Sequence, residues 1–146
     1  MTKKSVIYCR TAIPDAKAIA RQEMKCRRTA KRFGYRVNRV FVDNGQSGRA
    51  LERPGLGALI VFCLEHPELV TTVLVTGYDR LARHLGHLFR LHDCLQGLNI
   101  SIQAGPEPAS SAASKLPFGI VRAVANYEKD ARAEHIRYAK HRPKTN

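Results

Sequence analysis

Arg10 and Asp43 each follow directly on an apolar stretch of the chain, and Asp79, Arg80 and Arg83 come a few residues past a third. Arginines gathered at one point suit phosphoryl chemistry. A planar guanidinium donates paired hydrogen bonds to phosphate oxygens and offsets the charge that builds on them during displacement. Arg53 lies ten residues past Asp43 and can join the same group. Taken singly, each of these side chains also reads as a surface ion pair of little consequence. Their joint placement at the ends of apolar runs is what points to one site. A metal-dependent nuclease built on Asp43 and Asp79 is the competing chemistry. It is poorly supported, because no Asp-x-Asp or clustered glutamate accompanies them.

The elements that must position these residues alternate in type. Residues 5–9 read as a strand, 16–33 as a helix closed by Gly34, 36–42 as a second strand, and 55–65 as a helix opened by Pro54. Residues 70–76 are an apolar run suited to a strand buried on both faces; 81–96 read as a helix ending at Gly97, and 99–103 as a short strand. This order predicts an α/β fold, a three-layer sandwich with a mainly parallel sheet, spanning residues 1–103. In such sheets the carboxyl ends of the strands face the ligand crevice, and the charged residues fall there. Residues 104–114 read as a linker, and 115–146 as a long helix with a basic tail. In the first helix, Gln22 falls on the apolar stripe of Ile19, Cys26, Ala30 and Phe33. A buried amide there needs partners, so Gln22 either braces a charged side chain or sits partly exposed.

Composition limits the partners. Lys and Arg outnumber Asp and Glu 25 to 12, a formal net charge of +13 in 146 residues. That surplus favours nucleic acid over membrane or acidic protein. Four widely spaced cysteines without a CxxC pair read as reduced core thiols. No apolar stretch approaches a membrane span, and no leader pattern opens the chain, so a cytoplasmic protein, nucleoid-associated as in bacteria, is expected. His84, His87 and His92 share a helix at a spacing that suits tetrahedral zinc poorly. No metal and no other cofactor is expected.

The motifs together resemble the catalytic domain of the serine recombinases, the resolvase/invertase family, over nearly the whole chain. The family's Tyr-x-Arg-x-Ser opening is matched by Tyr8, Arg10 and then Ala12. Gln22 matches a glutamine of the first helix. "FVDNGQSGRALERPGL" matches the second signature through Asp43, Ser47, Gly48, Arg53 and Pro54, and "YDRLAR" matches the third through Asp79, Arg80 and Arg83. "AVANYEKDARAEHIR" is similar to the long helix that pairs subunits and runs onto DNA. The resemblance implies DNA strand exchange in site-specific recombination or DNA integration, as in mobile elements. A serine hydroxyl attacks the backbone phosphate without metal, arginines such as Arg10, Arg80 and Arg83 neutralise it, and Asp79 and Arg53 hold the constellation.

Two departures matter. The nucleophile's position is Ala12, and a methyl group cannot attack phosphorus. Thr11 would point to the opposite face of an extended segment, and Ser47 matches a family position that is not the nucleophile. The expectation is a DNA-binding member without strand-cleavage activity; the alternative is an active recombinase catalytic domain carrying a Ser-to-Ala change. The segment "IPDAKAIARQ", short beside the family's usual loop, favours natural loss. The second departure is the end of the sequence, "HIRYAKHRPKTN", where family members append a larger DNA-binding region. Arg137, Lys140, His141, Arg142 and Lys144 suit phosphate contacts there, or form a solvated tail. Ile120, Val121, Val124 and Tyr127 predict self-association as a homodimer or tetramer, or assembly with an active recombinase relative.

Overall fold

The computed structural model describes residues 3–49 and 51–106, so the linker beyond 106, the long helix and the basic tail lie outside the described residues. Strand β1 (Lys3–Thr11) carries apolar side chains to both faces, as a central parallel strand requires. Val6 and Tyr8 enter one core cluster, and Ile7 and Cys9 the other. Helix α1 (Ala16–Phe33) begins at Asp15, whose carboxylate accepts the Ala18 amide, and ends at Gly34 in the left-handed region at φ 74°. The Gly34 amide donates back to Ala30, the arrangement that a glycine cap permits. β2 (Tyr35–Asn44) follows at once.

α2 (Pro54–Glu65) starts on the predicted proline. A 3-10 turn at Pro67–Leu69 leads into β3 (Thr72–Val75), all four residues of which are buried. The expected single helix from 81 to 96 is instead two: α3 (Tyr78–Leu81) and α4 (Leu85–Gly97). Ala82 is extended between them, at φ −159° and ψ 141°. The break has a use. It exposes the carbonyls of Arg80 and Leu81 to the Arg53 guanidinium and lets the Arg83 amide donate to the Gly48 carbonyl. β4 (Ser101–Ala104) closes the sheet.

The strand order is β2-β1-β3-β4 and every pairing is parallel. α1 packs on one face through Cys26 and Ala30; α2 and α4 pack on the other through Leu56, Leu59, Leu88 and Leu91. The three-layer α/β expectation therefore holds. The chain's direction across the sheet reverses between β1 and β3, which makes their carboxyl ends the crevice of this fold. No described helix is long and apolar enough to cross a membrane.

Cys9, Cys26 and Cys63 are buried free thiols, as read from the sequence, whereas Cys94 is exposed on the outer side of α4. Burial pushes Cys9 and Cys26 up to about 12 and Cys63 up to about 11. We expect a disulfide reagent at neutral pH to titrate one thiol in the folded protein and four after denaturation. Raised thiol values also set a pH slope. Above pH ~9 the unfolded chain sheds thiol protons that the folded chain keeps, so stability falls as pH rises. Melting temperature between pH 7 and 10 reads this, and a flat profile would contradict it.

Candidate active site

β1 and β2 are in register with Arg10 opposite Asp43 and Thr11 opposite Asn44. Both strands end together, and β3 delivers α3 beside them. The fold thus brings Arg10, Asp43, Arg53, Arg80 and Arg83 to one corner, as the strand-end reasoning expected.

Arg10 is completely buried. Its Nε donates to the Arg80 carbonyl at 3.0 Å, Nη1 to the Gln46 carbonyl at 3.1 Å and Nη2 to the Asp79 carbonyl at 2.8 Å. In return, Arg80 Nη1 donates to the Arg10 carbonyl at 3.0 Å. One guanidinium therefore ties together three segments: the end of β1, the loop after β2, and α3. The resemblance implies that Arg10 meets a phosphate; here its guanidinium is buried and donates to main-chain oxygens. Gly48 covers it closely. A Cβ at that position would lie 2.8 Å from Arg10 Nη2 and 3.0 Å from Arg83 Cγ, so only glycine lets the loop approach this far.

Gln22 is buried, and its partner is main chain rather than a charged side chain. Its Oε1 accepts the Arg10 amide at 3.0 Å and its Nε2 donates to the Arg10 carbonyl at 2.9 Å. The amide thus satisfies both backbone groups at the residue two before Ala12. Arg53, also buried, donates Nη1 to the Arg80 carbonyl and Nη2 to the Leu81 carbonyl. Arg10 and Arg53 share one acceptor, the Arg80 oxygen. Arg53 further lies over the Tyr8 ring, 5.6 Å from its centroid.

Asp43 does a different job from the arginines. Its carboxylate accepts the Gly55 amide at 2.7 Å, the Leu56 amide at 2.9 Å and the Tyr8 hydroxyl at 2.7 Å. It caps the N-terminus of α2 from another strand, where the helix end favours negative charge. Asp43→Ala should cost about 2–4 kcal/mol, since two helix amides and a buried phenol lose their acceptor. Denaturant titration checks it, and a loss within 0.5 kcal/mol would show the cap to be dispensable. Burial first, then the bond to Asp43, pushes the Tyr8 hydroxyl far above the ordinary phenol range. Desolvation, then the charges of Arg53, Arg80 and Arg83, pulls Arg10 below the usual arginine value.

With Asp43 engaged by α2, the corner is left cationic. Asp79 is exposed and lies 3.6 Å from Arg80 Nη2; its carbonyl, not its carboxylate, holds Arg10. Arg80 is partly exposed, with Nη1 held by the Arg10 carbonyl, and Arg83 is exposed. Among the described residues no group of three His, Cys, Asp or Glu is placed to hold a metal ion.

Ala12 is exposed in the turn that leaves β1. Asn44, which the sequence reading passed over, anchors that turn: its Oδ1 accepts both the Thr11 hydroxyl at 2.9 Å and the Asp15 amide at 2.8 Å. The Thr11 hydroxyl also accepts the Gly45 amide, and the residue is buried. Ser47 is exposed, and its oxygen accepts the Arg49 amide at 3.2 Å. Arg137, Lys140, Arg142 and Lys144 lie outside the described residues.

The family model described as "Resolvase, N terminal domain" matches residues 5–146. Among solved structures, the N-terminal catalytic domain of TP901-1 integrase is similar at 28% identity and a TM-score of 0.77, covering 89% of this chain and 99% of that one. The C-terminal catalytic domain of ISC1926 TnpA, an IS607-like serine recombinase, is 25% identical with a TM-score of 0.63, over 78% of this chain and 76% of that one. A resolvase family site-specific recombinase from Streptococcus pneumoniae shares the fold at 18% identity and a TM-score of 0.73, over 94% and 95% of the two chains. No curated protein matches the sequence.

Proposed function

The chain belongs to the serine recombinase family, and from that premise we propose that it is a DNA-binding member without strand-cleavage activity, acting as a homo-oligomer or with an active relative. One observation carries the reading. The turn held by Gln22, Asn44 and the end of β1 presents Ala12, so the position that should offer an attacking oxygen offers a methyl group. The neighbouring hydroxyl of Thr11 is buried and bonded on both sides. Arg10, Arg53 and Arg80 still interlock at the end of β1, which supports a site that once used a serine at position 12.

DNA contact follows from the charge. Arg83 is exposed at the crevice with the partly exposed Arg80 beside it, and Arg49 is exposed on the loop that covers Arg10. With one cation of the basic tail they support about four phosphate contacts. Duplex affinity should then fall about 100-fold between 50 and 200 mM salt. Arg83→Ala should make the log–log slope shallower by about one. Fluorescence anisotropy with an arbitrary duplex measures both. Absence of binding at low salt would remove DNA as a direct partner of this chain.

A further inference from the structure

A second concave site lies behind the arginine corner. It is a cavity of about 420 Å³ between α1 and the carboxyl ends of β3 and β4. That volume falls within the range of small-molecule pockets. Its walls are chemically unequal. Cys26, Val75 and Pro106 supply apolar surface, Thr29 and Thr76 lie among them, and Lys25, Arg28 and Arg32 line the side formed by α1. These three cations lie at helical spacing (i, i+3, i+7), so they fall along one side of the helix. Among the described residues none of the three has a carboxylate partner; the acid of α1, Glu23, pairs with Arg27. Three unneutralised cations beside an apolar hollow call for an occupant that is apolar in the body and negative at one edge.

We propose that this cavity binds a small amphipathic anion, a flat apolar body carrying a carboxylate, sulfonate or phosphate group. The apolar body would lie against Cys26 and Val75, and the charge would meet the Arg28 and Arg32 forks, each of which can donate two hydrogen bonds to a pair of oxyanion oxygens. The position has mechanical meaning. Cys26 and Thr29 follow Gln22 by one and two turns on α1, and Gln22 holds the Arg10 peptide. Val75 and Thr76 lead directly into α3, whose carbonyls hold Arg10 and Arg53. An occupant wedged between α1 and the end of β3 bears on both supports of the arginine corner.

The test needs no DNA, so its outcome is independent of the DNA-binding reading. The probe is 8-anilinonaphthalene-1-sulfonate, an aromatic body with one sulfonate, titrated against the full chain by fluorescence. The uncharged N-phenyl-1-naphthylamine serves as comparison. The expected result is saturable binding of one sulfonate dye per chain and weaker binding of the uncharged dye. Arg28→Glu with Arg32→Glu should weaken the sulfonate dye at least about tenfold. Lys31→Glu with Arg36→Glu changes net charge equally at exposed positions outside the cavity and should leave binding within about twofold. All four positions are exposed, so the variants keep the fold. Non-saturable binding, equal loss in both pairs, no loss in the first pair, or equal affinity for the uncharged dye would each overturn the proposal.

Discussion

Arg10→Ala should remove about 4 kcal/mol of stability, out of a total of about 5–15 for a domain of this kind. The reason is the set of partners. Truncation leaves the carbonyls of Gln46 and Asp79 without the donor that now serves them, leaves the Arg80 carbonyl to Arg53 alone, and opens a hole where a completely buried side chain stood. The Asp79 and Gln46 oxygens can recruit water only if the loop after β2 lifts away. Arg10→Lys should recover little, because one ammonium cannot reach three carbonyls on two segments as a guanidinium fork does. Arg83→Ala, at an exposed side chain, should stay within about 0.5 kcal/mol. Urea midpoints for the three variants decide the matter. If Arg10→Ala and Arg83→Ala shift the midpoint equally, the buried arginine is not holding the corner together.

Restoring the hydroxyl should have the largest effect on activity. The unaltered protein should form no covalent adduct, even on nicked or otherwise activated DNA. Ala12→Ser places an oxygen on a turn already fixed by Gln22 and Asn44, beside a cationic corner. Preorganisation of that kind is what makes a weak nucleophile useful. The expected product is a slow phosphoserine link, seen as a protein–DNA band that survives boiling in detergent and vanishes after protease. The serine oxygen bonds to phosphorus, its proton leaves to solvent or base, and the DNA 3′-oxygen departs and is protonated. Arg80→Ala in the Ala12→Ser background should abolish the band. An adduct from the protein with Ala12 intact would refute the reading and redirect attention to Thr11 or Ser47.

The sequence announced the sheet and the corner for definite reasons. β1 and β3 are apolar on both faces, and only a central parallel strand tolerates that, so their type and their ends were legible. Pro54 and Gly34 marked helix ends through backbone constraints that do not depend on context. The break after Leu81 was not legible, because Ala82, Arg83 and His84 are all acceptable in a helix; tertiary bonds to Gly48 and Arg53 extend them. Gln22 was conspicuous as an amide on an apolar stripe, but its target, a peptide group, carries no mark in a string of side chains. Asn44 escaped notice for a like reason, since its value lies in touching Thr11 and Asp15 at once.

Arg10, Arg53 and Arg80 grip peptide oxygens, and every residue type has one. Gln46 and Asp79 can therefore drift to other side chains over generations without loosening Arg10, since both side chains are exposed and the carbonyls stay in place. Covariation across homologues should find no compensating partner for positions 10 and 53, however strictly those two are kept. A saturation library should show the same asymmetry, with intolerance at 10 and 53 beside broad tolerance at 46 and 79. Contact maps inferred from co-inherited changes would leave Arg10 and Arg53 blank, although five hydrogen bonds hold the two in place.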